Sequence, residues 1–384
     1  MPKDLAYIVL LFLLFVVPKL LQRFRLPAAI TSLLLGVLAT QLGWSPNDDT
    51  LGLLSTLGIV ALFLLAGLDV DLDELRPNTR VLVQHLSIWI VTLIATVAIA
   101  MMALHLTIRP ATLLSLALIT PSTGFILDSL HRFGLTPDEE RWTKAKAISS
   151  EIVALGAMFV ALRSGSFEEL TISLVVLVGL IVLLPPVFRW FAVTVSPYAP
   201  KSEFAFLLMV AMVSAYVTRH LGVYYLVGAF VAGLAARQFR DLLPAMSSER
   251  MLHAVEAFAS VFIPFYFFKA GLDIIPQVWG GWAVVAGAVM TVVFISLRVG
   301  EISLHRWIAL RERPAHAVKI AIALLPTLVF SLVCVELMRE RFQVPEYLLG
   351  GVVLYTILNT LVPGIALKVQ PPSYEDPHPG WGKD

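Results

Sequence analysis

The first residue in this chain that could do chemistry is an acid set in an apolar helix. Glu151 lies in Lys144 to Val160, KAKAISSEIVALGAMFV, directly after Ser149 and Ser150. An ionised carboxylate in hydrocarbon is costly, and it either finds a partner or takes up a proton. Such a group is a functional site by default, able to hold a proton or a cation. The plainer alternative is that the helix starts later and Glu151 caps it near the membrane surface, because acids suit helix N-termini.

A second candidate lies just upstream in LALITPSTGFILDSL, Leu116 to Leu130. Pro121 removes a backbone donor and frees a carbonyl. Thr120, Pro121, Ser122, Thr123 and Gly124 are together poor for helix and rich in small hydroxyls. A helix broken there aims carbonyl and hydroxyl oxygens into a cavity, and these are hard ligands suited to Na+, K+ or Li+. A simple proline kink packed by neighbours is the alternative.

The remaining charges in apolar surroundings each have two readings. Arg298 closes the run VVAGAVMTVVFISL, with Glu301 and His305 following on the same helix face. It is either a local partner of Glu301 at the membrane boundary or a counter-charge to Glu151. Lys269 sits in FIPFYFFKAGL. It either packs on Phe265, Tyr266 or Phe268 or faces the ion cavity and tunes it. Asp69, Asp71, Asp73 and Glu74 read as a solvated loop, and Asp128 as a cavity-lining or water-facing residue. The single cysteine, Cys334, reads as a small core residue.

The elements that must position these residues are membrane helices. Of 384 residues 58% are hydrophobic and 14% charged, with mean hydropathy +0.84. A soluble domain carries about 25% charged residues. The apolar blocks are long enough to span a bilayer, so the chain is an all-α polytopic membrane protein. About thirteen spans are expected on a criterion of about 20 residues. They lie near 5–22, 27–43, 51–68, 81–105, 111–130, 145–163, 170–188, 203–219, 222–237, 255–275, 279–300, 315–338 and 346–367. The first apolar run continues to Leu21 without a cleavage site and reads as a retained span.

With the N-terminus outside, about 20 of the 28 basic residues fall on inside loops. This predicts an N-out, C-in protein of the cell (inner) membrane. Residues 369–384 are expected to be a disordered cytoplasmic tail. A net charge of +1 gives no reason to expect nucleic acid, and no nucleotide-binding fingerprint is present. No cofactor is expected. The absence of a zinc-type His-Glu-x-x-His motif, and of Ser or Cys in a recognisable catalytic setting, argues against an intramembrane enzyme.

The chain also repeats itself. FLLAGLDV, Phe63 to Val70, recurs as FFKAGLDI, Phe267 to Ile274, and ALITPSTGF, Ala117 to Phe125, echoes IALLPTLVF, Ile322 to Phe330. Pro121 then pairs with Pro326. In the predicted topology the copies run in opposite directions, an inverted repeat, and matched proline breaks point to a midplane site. The first repeat covers about 1–165, a linker helix about 170–190 and the second repeat about 203–368, all within one transmembrane domain, 1–368.

Several segments resemble the monovalent cation:proton antiporter superfamily, most closely its Kef-type branch. They are RFRLPAAITSLLLGVLATQLG, GIVALFLLAGLDVDLDELRP, KSEFAFLLMVAMVSAYVTRHLGVYYLVGAFVAGLAAR and VVLYTILNTLVPGIALK. The resemblance covers nearly the whole chain, without the C-terminal nucleotide-binding domain. It implies a core domain with two crossed broken helices, at TPSTG and LLPTL, and a dimerisation domain, hence a homodimer. It places the family's ion-binding pair on Ser150 and Glu151 and its core basic residue on or next to Arg298. The chain departs from the pattern in its Glu, its Ser partner, its Arg, the Leu328, Val329, Phe330 stretch and Lys269.

The function this implies is secondary active exchange of a monovalent cation, Na+ or K+, for protons by alternating access. Glu151 binds the ion or the proton, with Ser150, Thr120 and Thr123 supplying further oxygens. A neutral Ser partner and an arginine that does not deprotonate predict electroneutral exchange. A separate regulatory subunit is a further expected partner. The competing readings are a channel, an anion or organic-solute carrier using Lys269 and Arg298, and a non-transporting membrane sensor.

Overall fold

The computed structural model describes residues 3–44, 48–70, 79–199, 202–238, 249–274 and 280–368. Among them every regular element is helical. In chain order these are α1 (Lys3–Gln22), α2 (Ala28–Gln41), α3 (Asp49–Leu68), α4 (Thr79–Leu104), α5 (Ile108–Ile119), α6 (Thr123–Leu130), α7 (Pro137–Arg163) and α8 (Phe167–Trp190). There follow α9 (Glu203–His220), α10 (Tyr225–Gln238), α11 (Glu249–Leu272), α12 (Gly281–Leu310), α13 (Pro314–Ala323), α14 (Leu328–Phe342) and α15 (Glu346–Ala366). The acidic residues Asp71, Asp73 and Glu74 and the tail 369–384 lie outside the described residues, as does the side chain of Asp128.

Local chemistry sets where these helices begin. Asp48 caps α3, accepting from the Leu51 amide at 3.1 Å. Thr136 and Glu139 form a reciprocal capping box at the start of α7, with Pro137 in its first turn. Helix α7 therefore starts at Pro137 rather than near residue 145. At its far end Arg109 on α5 donates to the carbonyls of Ala161 and Leu162 at 2.8 and 2.6 Å.

Nine helices of the described residues are long and apolar enough to cross a membrane, with the stretch Ile108–Leu127 taken as one, or ten if α13 and α14, bent by 47°, form one span. That is fewer than the thirteen expected. The difference lies in α2, α9 and α10. Helices α2 and α10 have 14 residues each, so each is about 21 Å long against a hydrocarbon core of about 30 Å.

The helices pack mainly within two groups, α1–α3 with α8–α11, and α4–α7 with α12–α15. In the first group α2 crosses α11 and α3 crosses α10 at paired glycines. A Cβ on Gly36 would lie 2.1 Å from the Phe268 carbonyl oxygen, and one on Gly67 would lie 2.3 Å from that of Phe230. Their opposite members are Gly271 and Gly233. Only glycine allows backbones this close. Gly67 and Gly271 are the two glycines of the repeated AGLD motif.

A cavity of about 1300 Å³ separates the groups at one end, lined from α1, α2, α3 and α11 and from α6 and the first turns of α7. At the other end polar bonds close the seam. The Tyr224 hydroxyl donates to Glu336 on α14, Arg341 donates to the Gly222 carbonyl at 2.6 Å, and Arg339 donates to that of Asp273 at 3.0 Å.

Candidate ion-binding site

Glu151 lies midway along the 27-residue α7 and is 2% exposed. With the helix capped at Thr136, it is not a surface cap of its own helix. One carboxylate oxygen accepts from the Thr123 amide at 3.1 Å, at the N-terminus of α6. The carboxylate thus occupies the positive end of another helix. The Thr123 side chain lies against the same carboxylate. The Thr120 hydroxyl is fully buried without a hydrogen-bond partner among the described residues.

Thr123 is placed there by a break in the chain. Helix α5 stops at Ile119 and α6 starts at Thr123, so Thr120, Pro121 and Ser122 are non-helical. The second break separates α13 from α14 and contains Pro326. The breaks meet directly, the Ser122 amide donating to the Pro326 carbonyl at 2.8 Å.

Helix ends inside a membrane leave carbonyls that need donors. Side chains supply them here. Ser331 and Tyr355 donate to the carbonyls of Ala117 and Leu118, each at 2.6 Å, and the Trp89 indole donates to that of Ile119 at 3.4 Å. Arg298 donates to Leu325 and Leu324, each at 2.5 Å. Several carbonyls expected to point at an ion are therefore occupied. Asn359 donates to the Thr327 hydroxyl at 2.9 Å, fixing the second break from α15.

Arg298 lines a pocket with Glu301 but makes no hydrogen bond to Glu301 or Glu151 among the described residues. Its guanidinium caps the end of α13 and touches the Tyr355 hydroxyl at 3.3 Å. Glu301 accepts instead from Thr92 on α4 at 3.0 Å. Lys269 also departs from expectation. Its ammonium pairs with Asp273 at 2.7 Å in the last turn of α11, and both side chains are partly exposed. Phe265, Tyr266, Phe267 and Phe268 are buried, but an ion pair, not ring stacking, holds the lysine. Cys334 is fully buried, as a small core residue would be.

Ser150 is fully buried on α7. Its hydroxyl donates to the Lys146 carbonyl at 2.7 Å and accepts from the Lys146 ammonium at 2.8 Å. Lys146 is the residue that sequence reasoning missed. It stands at the very start of the expected span 145–163, where a lysine would reach water, yet it is 2% exposed. It lines a small pocket with His85, Glu301 and Arg298 and lies 5.8 Å from the centre of the Trp89 ring. The capping sequence Thr136-Pro137-Asp138-Glu139 would have found it, because it starts the helix two turns earlier. Among the described residues no group of three or more His, Cys, Asp or Glu side chains is placed to hold a metal ion. A lone carboxylate with hydroxyl neighbours suits a monovalent cation or a proton.

Residues 8–369 match the family model described as sodium/hydrogen exchanger, transmembrane. The chain is 24% identical over 285 residues to the Na(+)/H(+)-K(+) antiporter GerN of Bacillus cereus, covering 69% of this chain and 71% of that protein. It is 25% identical over 285 residues to the probable Na(+)/H(+) antiporter GerT of the same organism, covering 70% and 73%. The solved structure of the sodium proton antiporter MjNhaP1 from Methanocaldococcus jannaschii superposes with a TM-score of 0.71 at 16% identity, covering 96% of this chain and 97% of that one. With its match running through nearly every helix, this chain belongs to the transmembrane sodium/hydrogen exchanger family.

Proposed function

We propose that this protein exchanges a monovalent cation, Na+ or K+, for protons across the membrane, with Glu151 as the common site. The observation that carries the reading is the burial of Glu151 against the N-terminus of α6, beside the Thr123 side chain. A carboxylate in that position takes a proton or a cation, and competition for one site is sufficient for exchange. The relatives whose names describe Na+/H+ and K+ antiport support the substrate class.

Alternating access follows from the two helix groups. The group carrying the breaks and Glu151 acts as a core domain, and the other as a dimerisation domain in a homodimer. The wide cavity opens on the face where α1, α3 and α6 end, which is the inner face in an N-out, C-in topology. The polar seam then closes the outer face. Thirteen spans are reached when α2, α9 and α10 cross the membrane together with the ten longer units. Exchanged packing supports the inverted repeat, since α2 lies on α11 and α3 on α10. The contact between Ser122 and Pro326 is the crossing point of the two broken helices.

Exchange is one cation for one proton. The neutral Ser150 adds no second acid beside Glu151, and an arginine such as Arg298 does not deprotonate, so one carboxylate carries the exchanged charge. An anion carrier fits less well, since Lys269 is neutralised by Asp273 and Arg298 is engaged by the α13 end.

The test is proton flux in proteoliposomes with an acid interior, adding Na+, K+ or Li+ in turn. Cation-triggered alkalinisation, lost in Glu151→Gln, is expected. Folded protein with no response to any of these cations would falsify the reading.

A further inference from the structure

The face on which the wide cavity opens carries a second, smaller cavity that the exchange mechanism leaves unused. Its volume is about 80 Å³, room for several water molecules or for one group of phosphate size. Both helix groups build it. The turn after α1 and the start of α2 form one wall, and the ends of α6 and α15 form the other. The walls touch, since a Cβ on Gly364 of α15 would lie 3.0 Å from the Arg25 carbonyl oxygen. The acids of this face, Asp69, Glu140 and Glu256, line the wide cavity instead.

The small cavity has the chemistry of an anion host. Arg25 and Arg132 line it, one from each wall, and among the described residues no acid does. Gln22 and Ser129 add an amide and a hydroxyl, and Ala28 and Ala29 bring the N-terminus of α2. Pro27 stands at the N-cap of that helix and offers no side-chain cap, and the first helical bond is made by the Thr31 amide. The amides of Ala28 and Ala29 therefore need an acceptor from outside the helix, at the end where the helix dipole favours negative charge. The adjoining segments keep the same sign, with Lys19, Arg23 and Lys368 against Asp128 one turn before Arg132. Two guanidinium groups brought to one small cavity repel each other, and a phosphate between them presents a pair of oxygens to each fork.

We propose that this cavity binds a phosphate-bearing anion, the headgroup of an anionic phospholipid at the membrane surface. Lipid is favoured over free phosphate by the mouth of the cavity. Phe24 and Ile365, next in sequence to Arg25 and Gly364, are exposed large apolar side chains, so acyl chains can lie beside a headgroup seated between the arginines. An excess of Lys and Arg at the inner surface is also what anionic leaflets attract. The effect on transport rests on the exchange reading above. An anion held by both walls ties the two helix groups together in the state whose wide cavity is open. It stabilises that state, so it strengthens cation binding from the cavity side and weakens it from the seam side.

Binding is measured first, without transport. Phosphatidylglycerol and, separately, inorganic phosphate are titrated in detergent against the melting temperature of wild type, of Arg25→Gln/Arg132→Gln and of Arg23→Gln, which removes the same charge outside the cavity. A saturable rise with phosphatidylglycerol in wild type and Arg23→Gln, lost in the double variant, is expected. A rise with inorganic phosphate alone keeps the anion site and overturns the lipid as its occupant. No rise in wild type, or an equal rise in all three proteins, overturns the site. Arg25 is exposed, so Arg25→Gln alone decides if the double variant does not fold. Flux then reads the consequence. In phosphatidylcholine proteoliposomes, added phosphatidylglycerol should lower the cavity-side cation KM and raise the seam-side KM of wild type by about fivefold or more relative to the double variant. Equal KM values in the two proteins overturn the coupling. Folded wild type with no cation-driven flux overturns the exchange reading, while the melting data still decide the site.

Discussion

The Thr123 amide and the Glu151 carboxylate, 3.1 Å apart, join the start of a half-helix to the middle of a full one. Neither residue is near the other in sequence. Their contact puts a single carboxylate at the positive end of α6, where a bound cation must compete with a helix terminus for the same oxygens. Glu151→Gln keeps the shape and an acceptor but removes the charge. It is expected to reduce cation-coupled flux by more than the roughly 10–100-fold typical of losing an outer partner of a metal site. The check is the flux assay together with a melting curve that confirms folding; flux within twofold of wild type would exclude Glu151 as the site.

Competition at one carboxylate also fixes the pattern of inhibition. In the proposed exchange protons and cations share Glu151, so lowering the pH on the cation side should raise the cation KM and leave the maximal rate unchanged. Initial rates at several pH values and cation concentrations test this. A maximal rate that falls while KM stays constant would place the proton elsewhere.

Arg298 holds the end of α13 with a two-pronged contact to the Leu324 and Leu325 carbonyls. Lysine cannot reproduce that fork. Arg298→Lys should therefore lower stability by about 1–3 kcal/mol, the cost of an unpaired buried polar group. Thermal melting in detergent measures it, and a melting temperature equal to wild type would show the fork to be dispensable.

Gly67 and Gly156 make a matched pair for helix packing. A Cβ on Gly67 meets the Phe230 carbonyl oxygen at 2.3 Å, whereas one on Gly156 meets nothing within 4 Å. Gly67→Ala should cost about 1–3 kcal/mol by overpacking, while Gly156→Ala is neutral or stabilising by about 1 kcal/mol through helix propensity. Equal melting shifts for the two variants would contradict the close crossing of α3 and α10.

Tyr224 and Glu336 link the two helix groups on the side away from the wide cavity. A typical hydrogen bond contributes about 0.5–1.5 kcal/mol. Tyr224→Phe should shift the population toward the opposite opening by about two- to tenfold. Flux assays with cation supplied from each side in turn should show a lower KM at the seam side and a higher one at the cavity side. Unchanged values on both sides would mean the bond does not hold the state.

The sequence by itself determined the membrane class and the place of nearly every helix, and it singled out Glu151 as the candidate acid. It could do so because bilayer thickness turns composition into helix length, and because an acid among apolar residues is rare enough to notice. Proline at Pro121 and Pro326 marked both breaks, since a missing amide is a local property of the residue. The partners of those groups were decided by tertiary structure. Arg298 turns to the carbonyls of α13, Lys269 to Asp273, and Lys146 to Ser150 and the Glu301 pocket. Periodicity gives the face a residue occupies on its own helix, but not which helix lies against that face. The Thr123–Glu151 and Ser122–Pro326 contacts depend on the packing of separate helices, and spacing along the chain carries no record of that.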